Sequence, residues 1–145
     1  MKHKLLYLLL FLAVVAAGCL KTQKAADPVP IPSGTFTGQF KVFHRHTDKV
    51  PFDSTKTTLT VKLTTPDYTY TVTGDTSTLH AGSHGTYAGN AVAMLFTDKT
   101  YAASSPFTKW HLNGLYSYTY DGTNLTIYYA SSDTLVLGYA LKKQQ

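Results

Sequence analysis

The chain from Gly34 onward predicts an all-β domain of about eight antiparallel strands. Apolar and polar residues alternate with a period of two in one run after another. Clusters of glycine, proline, asparagine and aspartate separate these runs at short intervals, as turns do. All the acidic residues are aspartates, and a composition rich in threonine and aspartate suits strands and turns rather than helices. We expect an up-and-down meander that closes into a barrel, with a β-sandwich as the alternative.

Residues 1–18 have the pattern of an export signal. Lys2 and Lys4 give a basic start, Leu5–Val15 is an apolar core, and small residues follow. The apolar core is shorter than the roughly 20 residues that a permanent membrane-spanning helix needs. The alternatives are an uncleaved anchor and an ordinary secretory signal.

The only cysteine of the chain ends the run Ala16-Ala17-Gly18-Cys19. This run resembles the lipobox of bacterial lipoproteins, in which the cysteine is lipidated and becomes the mature N-terminus. The resemblance implies a membrane partner through a lipid anchor on Cys19. Leu20 after the cysteine implies the outer membrane. Residues 20–26 lack the acidic run that marks surface export in some bacterial groups, so we expect the domain to face the periplasm, with surface exposure as the alternative. Several acyl chains, at about 0.8 kcal/mol per buried methylene, hold such a protein essentially permanently.

Residues 19–33 are predicted to be the lipidated cysteine and a tether. Pro28, Pro30 and Pro32 alternate with other residues, which favours extended polyproline II. Residues 34–145 then form the barrel domain.

The first three predicted strands follow this tether. In the first, Phe36, Phe40 and Val42 share one face, and polar residues occupy the other. Turn residues at 51–54 and 66–67 separate it from two further runs. The inward positions of those two runs are Leu59, Val61, Leu63, Tyr68, Tyr70 and Val72.

The remaining five strands are richer in tyrosine. Residues 82–88 and 91–97 form a predicted hairpin across Gly89-Asn90, and residues 98–106 are irregular. A strand then runs from Trp110 to the turn at Asp121-Gly122. The inward positions from there to the end of the chain are Trp110, Leu112, Tyr116, Tyr118, Tyr120, Leu125, Ile127, Tyr129, Leu135, Leu137, Tyr139 and Leu141.

Three short motifs carry a resemblance to a known family. Gly34-Thr35-Phe36 resembles the Gly-x-Trp opening of lipocalin-like (calycin) barrels, with Phe36 where the family has tryptophan. Gly85-Thr86-Tyr87 and the turn Tyr120-Asp121-Gly122 are similar to features of small bacterial lipocalin-like lipoproteins. The resemblance covers residues 34–142 and implies an interior cavity for a small apolar molecule.

The predicted interior collects aromatic side chains that are candidates for ligand binding. A buried tyrosine needs a partner for its hydroxyl, so many inward phenols suit a cavity that holds a ligand. The alternative is that the rings simply fill a small barrel. The candidate ligand-binding residues are Phe36, Phe40, His44, His46, Tyr68, Tyr70, Trp110, Tyr116 and Tyr118.

His44 and His46 lie two residues apart and therefore on one face of the first strand. Two imidazoles supply half of a zinc or copper site. The third ligand has no candidate, since His80, His84 and His111 are predicted to point outward. We expect no metal, and the pair then faces water at the end of its strand.

No enzymatic or nucleic-acid-binding pattern is present. The aspartates of the domain lie in or beside predicted turns, so no pair of carboxylates faces a common cleft. The sequence has neither a Gly-x-Ser-x-Gly elbow nor a phosphate loop before a helix. The formal net charge of +5 falls when Lys2 and Lys4 leave with the signal, and the remaining lysines form no runs. We expect a non-enzyme without a cofactor.

These observations lead to two expectations about function. The first is a lipid-anchored envelope protein that binds a small apolar or aromatic ligand in a tyrosine-lined barrel. The second is a protein-interaction module of the cell envelope, an assembly partner or enzyme inhibitor, in which the barrel is filled. In the second case we expect the outward surface or residues 98–106 to carry the binding.

Overall fold

The computed structural model describes residues 31–44, 53–102, 104, 106–131 and 135–145. The predicted signal, Cys19 and most of the predicted tether lie outside these residues. Within the described ranges no helix is long and apolar enough to cross a membrane. These ranges contain eight strands, which confirms the all-β prediction: β1 (Gly34–His44), β2 (Asp53–Thr64), β3 (Thr69–Gly74), β4 (Ser83–Gly89), β5 (Ala93–Asp98), β6 (Gly114–Tyr120), β7 (Asn124–Ala130) and β8 (Leu135–Lys143).

The strands form a closed up-and-down barrel. Each strand pairs antiparallel with its neighbours in sequence, and β1 also pairs antiparallel with β8. The closing register runs from Phe36 opposite Lys143 to His44 opposite Leu135. The β-sandwich alternative is therefore excluded, and the architecture is consistent with a lipocalin-like fold. Closure also leaves every described strand paired on both sides, which removes the exposed edges that promote aggregation.

The two ends of the barrel differ. At the entry end, where the chain enters at Gly34, short connections join β2 to β3, β4 to β5 and β6 to β7. At the opposite end, the loop end, residues 75–82 join β3 to β4 and residues 99–113 join β5 to β6. Because these two connections are long, the loop end has enough chain to build a site.

Asn90 sets the turn between β4 and β5. Its side-chain oxygen accepts hydrogen bonds from the backbone N–H groups of Val92 and Ala93, each at 3.0 Å. Its own N–H donates to the Ala93 carbonyl at 3.0 Å. The turn is thus centred on Ala91-Val92 and not on Gly89-Asn90 as predicted, because the asparagine side chain starts an Asx turn instead of occupying the turn centre.

Asp121 does the same between β6 and β7. Its Oδ1 accepts from the N–H groups of Thr123 at 2.8 Å and Asn124 at 2.6 Å. Hydrogen bonds from the side chain and backbone of Asn124 lower the pKa of this carboxyl to about 2. Gly122 follows with a φ of 95°, a conformation that favours glycine. The predicted Asp-Gly turn is confirmed at this position.

The barrel interior is packed with side chains from alternate strand positions. Phe40 lies against Tyr139, with ring centroids 4.7 Å apart, and Tyr70 meets Phe96 edge-on at 5.2 Å. Such edge-on and tilted pairs add to the stabilisation that burial itself supplies. The buried apolar residues are Phe36, Phe40, Val42, Leu59, Val61, Leu63, Tyr70, Val72, Tyr87, Met94, Phe96, Leu112, Tyr116, Tyr118, Leu125, Ile127, Leu137, Tyr139 and Leu141.

The start of β6 differs from the prediction. The strand begins at Gly114, whose φ of 104° breaks the extended run that was expected from Trp110 onward. Trp110 instead forms an isolated parallel bridge with His80, and Leu112 is buried in the core. These residues belong to the connection at the loop end and pack over the barrel instead of forming its wall.

Candidate functional site

A cleft of about 370 Å³ opens at the loop end of the barrel. The connection 99–113 forms much of its lining, and the first residues of β6 complete that side. Tyr129 of β7 and Leu137 of β8 form the wall on the barrel side. The cleft thus lies between the barrel rim and the long connection that crosses it.

Five of the eleven lining residues are phenylalanine, tyrosine or tryptophan. Phe107 and Trp110 meet with their ring centroids 4.8 Å apart, and Tyr116 meets Tyr129 at 6.0 Å. The apolar side chain of Phe107 is unusually exposed, at 66%. Tyr129 is also exposed, while Tyr116 is buried below it. A ligand with an apolar ring could bury that ring against several aromatic side chains here.

Backbone hydrogen bonds hold Trp110 in place. Its N–H donates to the Leu79 carbonyl at 3.1 Å, and its carbonyl accepts from the Ala81 N–H at 2.8 Å. The two long connections of the loop end are therefore joined like adjacent strands. This pairing positions the indole at the cleft without requiring it to lie in the barrel wall.

His80, between those two contacts, reaches down into the barrel. Its side chain is fully buried, and its Nδ1 lies 2.6 Å from the Ala81 carbonyl. A carbonyl only accepts, so Nδ1 carries the proton, and Nε2 accepts from the Tyr139 hydroxyl at 2.8 Å. Burial lowers the pKa of His80 to about 4, so the ring is neutral at pH 7. This histidine was predicted to point outward, and that prediction is wrong.

A second buried polar pair lies beside the cleft. His111 Nδ1 donates to Asp98 Oδ2 at 2.7 Å, and the Asp98 side chain is completely buried. The other carboxylate oxygen accepts from the Thr100 N–H and hydroxyl at 2.7 and 2.6 Å. The His111 ring contacts Tyr101 at 5.1 Å and lines the cleft. Asp98 thus holds the Nδ1 edge of the imidazole, which leaves the Nε2 edge facing away from the carboxylate.

Lys109 adds a positive charge to the same lining. Its Nζ donates to the Thr76 carbonyl at 2.8 Å, which fixes the ammonium at the loop end. An ammonium has three donors, so the carbonyl uses one of them. Lys109 and His111 flank Trp110 in sequence, and all three residues line the cleft.

Two of the predicted ligand-binding residues, Trp110 and Tyr116, line this cleft. The others are placed elsewhere. Phe36, Phe40, Tyr70 and Tyr118 are buried in the barrel core. Tyr70 donates its hydroxyl to the Leu112 carbonyl at 2.6 Å, and Tyr118 donates to the Asn90 carbonyl at 2.7 Å. These phenols are therefore satisfied by the protein itself.

Tyr68 and His44 are exposed and do not belong to the buried core. Tyr68 precedes β3 with a φ of 50° and is 42% exposed at the entry end, where it contacts Tyr87. His44 is the last residue of β1 and is exposed at the rim. Tyr68 lies outside the strands, where alternation does not apply, and His44 is the last paired residue of β1, where the barrel ends. His46 lies outside the described residues.

The described residues contain no group of three or more histidine, cysteine, aspartate or glutamate side chains that suits a metal ion. The pair of His111 and Asp98 was missed by sequence reasoning, although a signal for it existed. Met94, Phe96 and Asp98 share one parity of β5 and are all buried. An aspartate in line with two core residues indicates a buried carboxylate, which requires a partner.

Comparison of the chain with protein-family models, with curated proteins and with solved structures found no match.

Proposed function

We propose that this protein is a lipid-anchored envelope protein that binds a small apolar or aromatic ligand in the cleft at the loop end. The observation that carries the proposal is the aromatic lining of a cleft of about 370 Å³ at the mouth of a closed barrel. Barrel mouths are a common location for small-ligand sites. The packed barrel interior then serves as a rigid base for the cleft.

The mouth is a better site than the deep interior. Rings such as Phe40 and Tyr139 contact one another along the barrel, and the Tyr139 hydroxyl is bonded to His80. A ligand there would have to displace these contacts. At the cleft, by contrast, Phe107 and Tyr129 present exposed rings that binding would bury.

The cleft volume limits the ligand. Ligand sites commonly measure about 300–1,000 Å³, so a cleft of about 370 Å³ lies near the lower limit. It suits a molecule of one or two rings better than a long acyl chain. The phenylalanine, tyrosine and tryptophan rings of the lining also favour an aromatic compound.

The single tryptophan of the chain provides the test, because Trp110 lines the cleft. Titration with naphthalene derivatives, fatty acids and haem should give a saturable change in tryptophan fluorescence with the aromatic compounds. Two-dimensional NMR should then show the indole N–H of Trp110 shifting with the same dissociation constant. If no compound gives a saturable change by either method, the proposal is wrong.

The anchor is part of the proposal and has its own test. A lipid on Cys19 would hold the chain at the entry end of the barrel, since Gly34 begins β1 there and Tyr87 donates to the Pro32 carbonyl at 3.2 Å. The cleft would then open on the opposite end. The substitution Cys19→Ala should abolish incorporation of labelled palmitate and release the protein from the outer membrane. Retention of this variant in the membrane would contradict the lipid anchor.

A second candidate function is an interaction module of the cell envelope. An outward apolar surface supports it: Leu95 of β5 lies directly opposite Leu115 of β6, and they are 48% and 63% exposed. Tyr128 and Val136 extend this surface onto β7 and β8. Exposed apolar patches of this kind often mark protein contacts. Crosslinking in intact cells should capture an envelope protein that is lost in Leu95→Lys and retained in Thr97→Lys.

A further inference from the structure

The polar side of the cleft indicates which ligands it accepts. Its lining includes Lys109 and His111, and the carboxylate that contacts His111, Asp98, has a completely buried side chain. Among the described lining residues there is no aspartate. We propose, on the basis of the function proposed above, that the ligand is an aromatic acid whose anionic group binds His111 and Lys109.

The first feature that supports this proposal is the buried carboxylate of Asp98. The Asp98 side chain has no exposure, and its oxygens accept from Thr100 and His111. A buried carboxylate requires hydrogen-bond donors, and Thr100 and the His111 ring supply them. Asp98 therefore fixes the orientation of the His111 ring at the cleft.

The second feature is the orientation of the His111 imidazole. Nδ1 is committed to Asp98 at 2.7 Å, and the described residues provide no hydrogen-bond partner for Nε2. The ring is partly exposed and lines the cleft. In the cationic form Nε2 carries a proton and donates, so it favours an acceptor with negative charge.

The third feature is the ammonium group of Lys109. One of its three donors is used by the Thr76 carbonyl, its charge also acts on Asp75, and the side chain lines the cleft. An anionic group on the ligand would accept hydrogen bonds from the Lys109 ammonium and from a protonated Nε2 of His111. The aromatic rings of Phe107 and Trp110 would then hold the rest of the molecule.

Two ligands that differ in one group test this inference. The probes are 2-naphthoate and 2-naphthalenemethanol, each titrated against the full-length protein while Trp110 fluorescence is recorded. We expect 2-naphthoate to bind at least about tenfold more tightly, because hydrogen bonds to charged groups are the stronger ones. Its affinity should also fall with added salt, whereas that of the alcohol should not.

A matched pair of variants assigns the effect to the cleft. Lys109→Met should weaken 2-naphthoate by about tenfold and 2-naphthalenemethanol by clearly less, because the alcohol carries no charge. Lys99→Met removes the same charge from the same connection at an exposed residue that does not line the cleft, so it should change neither affinity.

The outcomes separate the two proposals. Equal affinity for both probes, or an equal effect of Lys99→Met and Lys109→Met on 2-naphthoate, would overturn the aromatic-acid inference while the proposed ligand cleft stands. Binding of neither probe, with the fold intact by circular dichroism, would contradict both. Circular dichroism of each variant establishes that the comparison is made between folded proteins.

Discussion

Nε2 of His80 accepts a hydrogen bond from the Tyr139 hydroxyl across 2.8 Å inside the barrel. His80 belongs to a connection at the loop end, and Tyr139 belongs to β8 in the wall. Both side chains are fully buried. One hydrogen bond thus ties the structure beneath the cleft to the barrel itself.

The His80–Tyr139 contact makes the stability of the fold depend on pH. The pKa of His80 is lowered by burial from 6.5 to about 4, with His111 acting in the same direction and Asp98 in the opposite one. As the pH falls, His80 is therefore protonated at a higher pH in the unfolded chain than in the folded chain. The stabilisation is complete above about pH 6.5 and decreases towards pH 4, by about 3 kcal/mol in total.

Urea unfolding measured at pH 7.5, 6, 5 and 4 tests this prediction. His80→Gln should flatten the dependence of the unfolding free energy on pH between 6.5 and 4, whatever its effect at pH 7.5. His84→Gln is the control, because His84 is exposed and should leave the dependence unchanged. A His80→Gln profile as steep as that of the unaltered protein would show that another group is responsible.

Removal of the Tyr139 hydroxyl should destabilise the barrel at neutral pH. Tyr139→Phe keeps the ring against Phe40 but leaves Nε2 of His80 without its donor. An unsatisfied buried acceptor costs about 1–3 kcal/mol, and we expect a loss of that size in urea unfolding. Tyr128→Phe removes an exposed hydroxyl and should change the unfolding free energy by less than about 0.5 kcal/mol.

The barrel was predictable from sequence because its strands alternate regularly. Phe36, Phe40 and Val42 of β1 were placed inward from their parity, and all three are buried. Closure of β1 against β8 does not follow from this pattern, because the strands of a β-sandwich also bury one face, and the pairing of the folded chain establishes it. Period-two alternation is a property of the extended chain, so it identifies faces wherever the chain remains extended.

The site was less predictable because it lies mainly outside the strands. His80 is in the connection 75–82, where no period relates residue number to direction, and parity counting failed for it. Trp110 was identified as a ligand-binding candidate, but as part of a strand that in fact starts at Gly114. His111 acquires its role from Asp98, thirteen residues earlier in the chain. Only the folded connection brings such residues together.

Two glycines should be required for close strand packing. A Cβ on Gly38 would overlap the Ala140 carbonyl oxygen and lie 2.8 Å from the Leu141 Cα. A Cβ on Gly85 would overlap the Thr97 carbonyl oxygen. Gly38→Ala and Gly85→Ala should each lower the unfolding free energy by about 1–3 kcal/mol, since backbone atoms must move.

The matched control for these glycines is Gly138→Ala in β8. A Cβ there would have no atom within 4 Å, so this variant should be as stable as the unaltered protein or slightly more stable. Thermal and urea unfolding of the three variants provides the measurement. Equal stability of all three would show that the strands can separate at Gly38 and Gly85 without cost.

Two neighbouring tyrosines of β7 distinguish the cleft from the outer surface of the barrel. Tyr129 lines the cleft and contacts Tyr116, whereas Tyr128 lies on the outward face, and their exposures are 41% and 44%. Because they are similarly exposed, Tyr129→Ala and Tyr128→Ala should have similar effects on stability.

Only Tyr129→Ala removes an aromatic ring from the lining of the proposed ligand cleft. We therefore expect it to weaken 2-naphthoate binding by about five- to tenfold, the loss of one aromatic contact, while Tyr128→Ala binds normally. Trp110 fluorescence titration gives both dissociation constants. If Tyr128→Ala alone weakened binding, the ligand would lie on the outward face and not in the cleft.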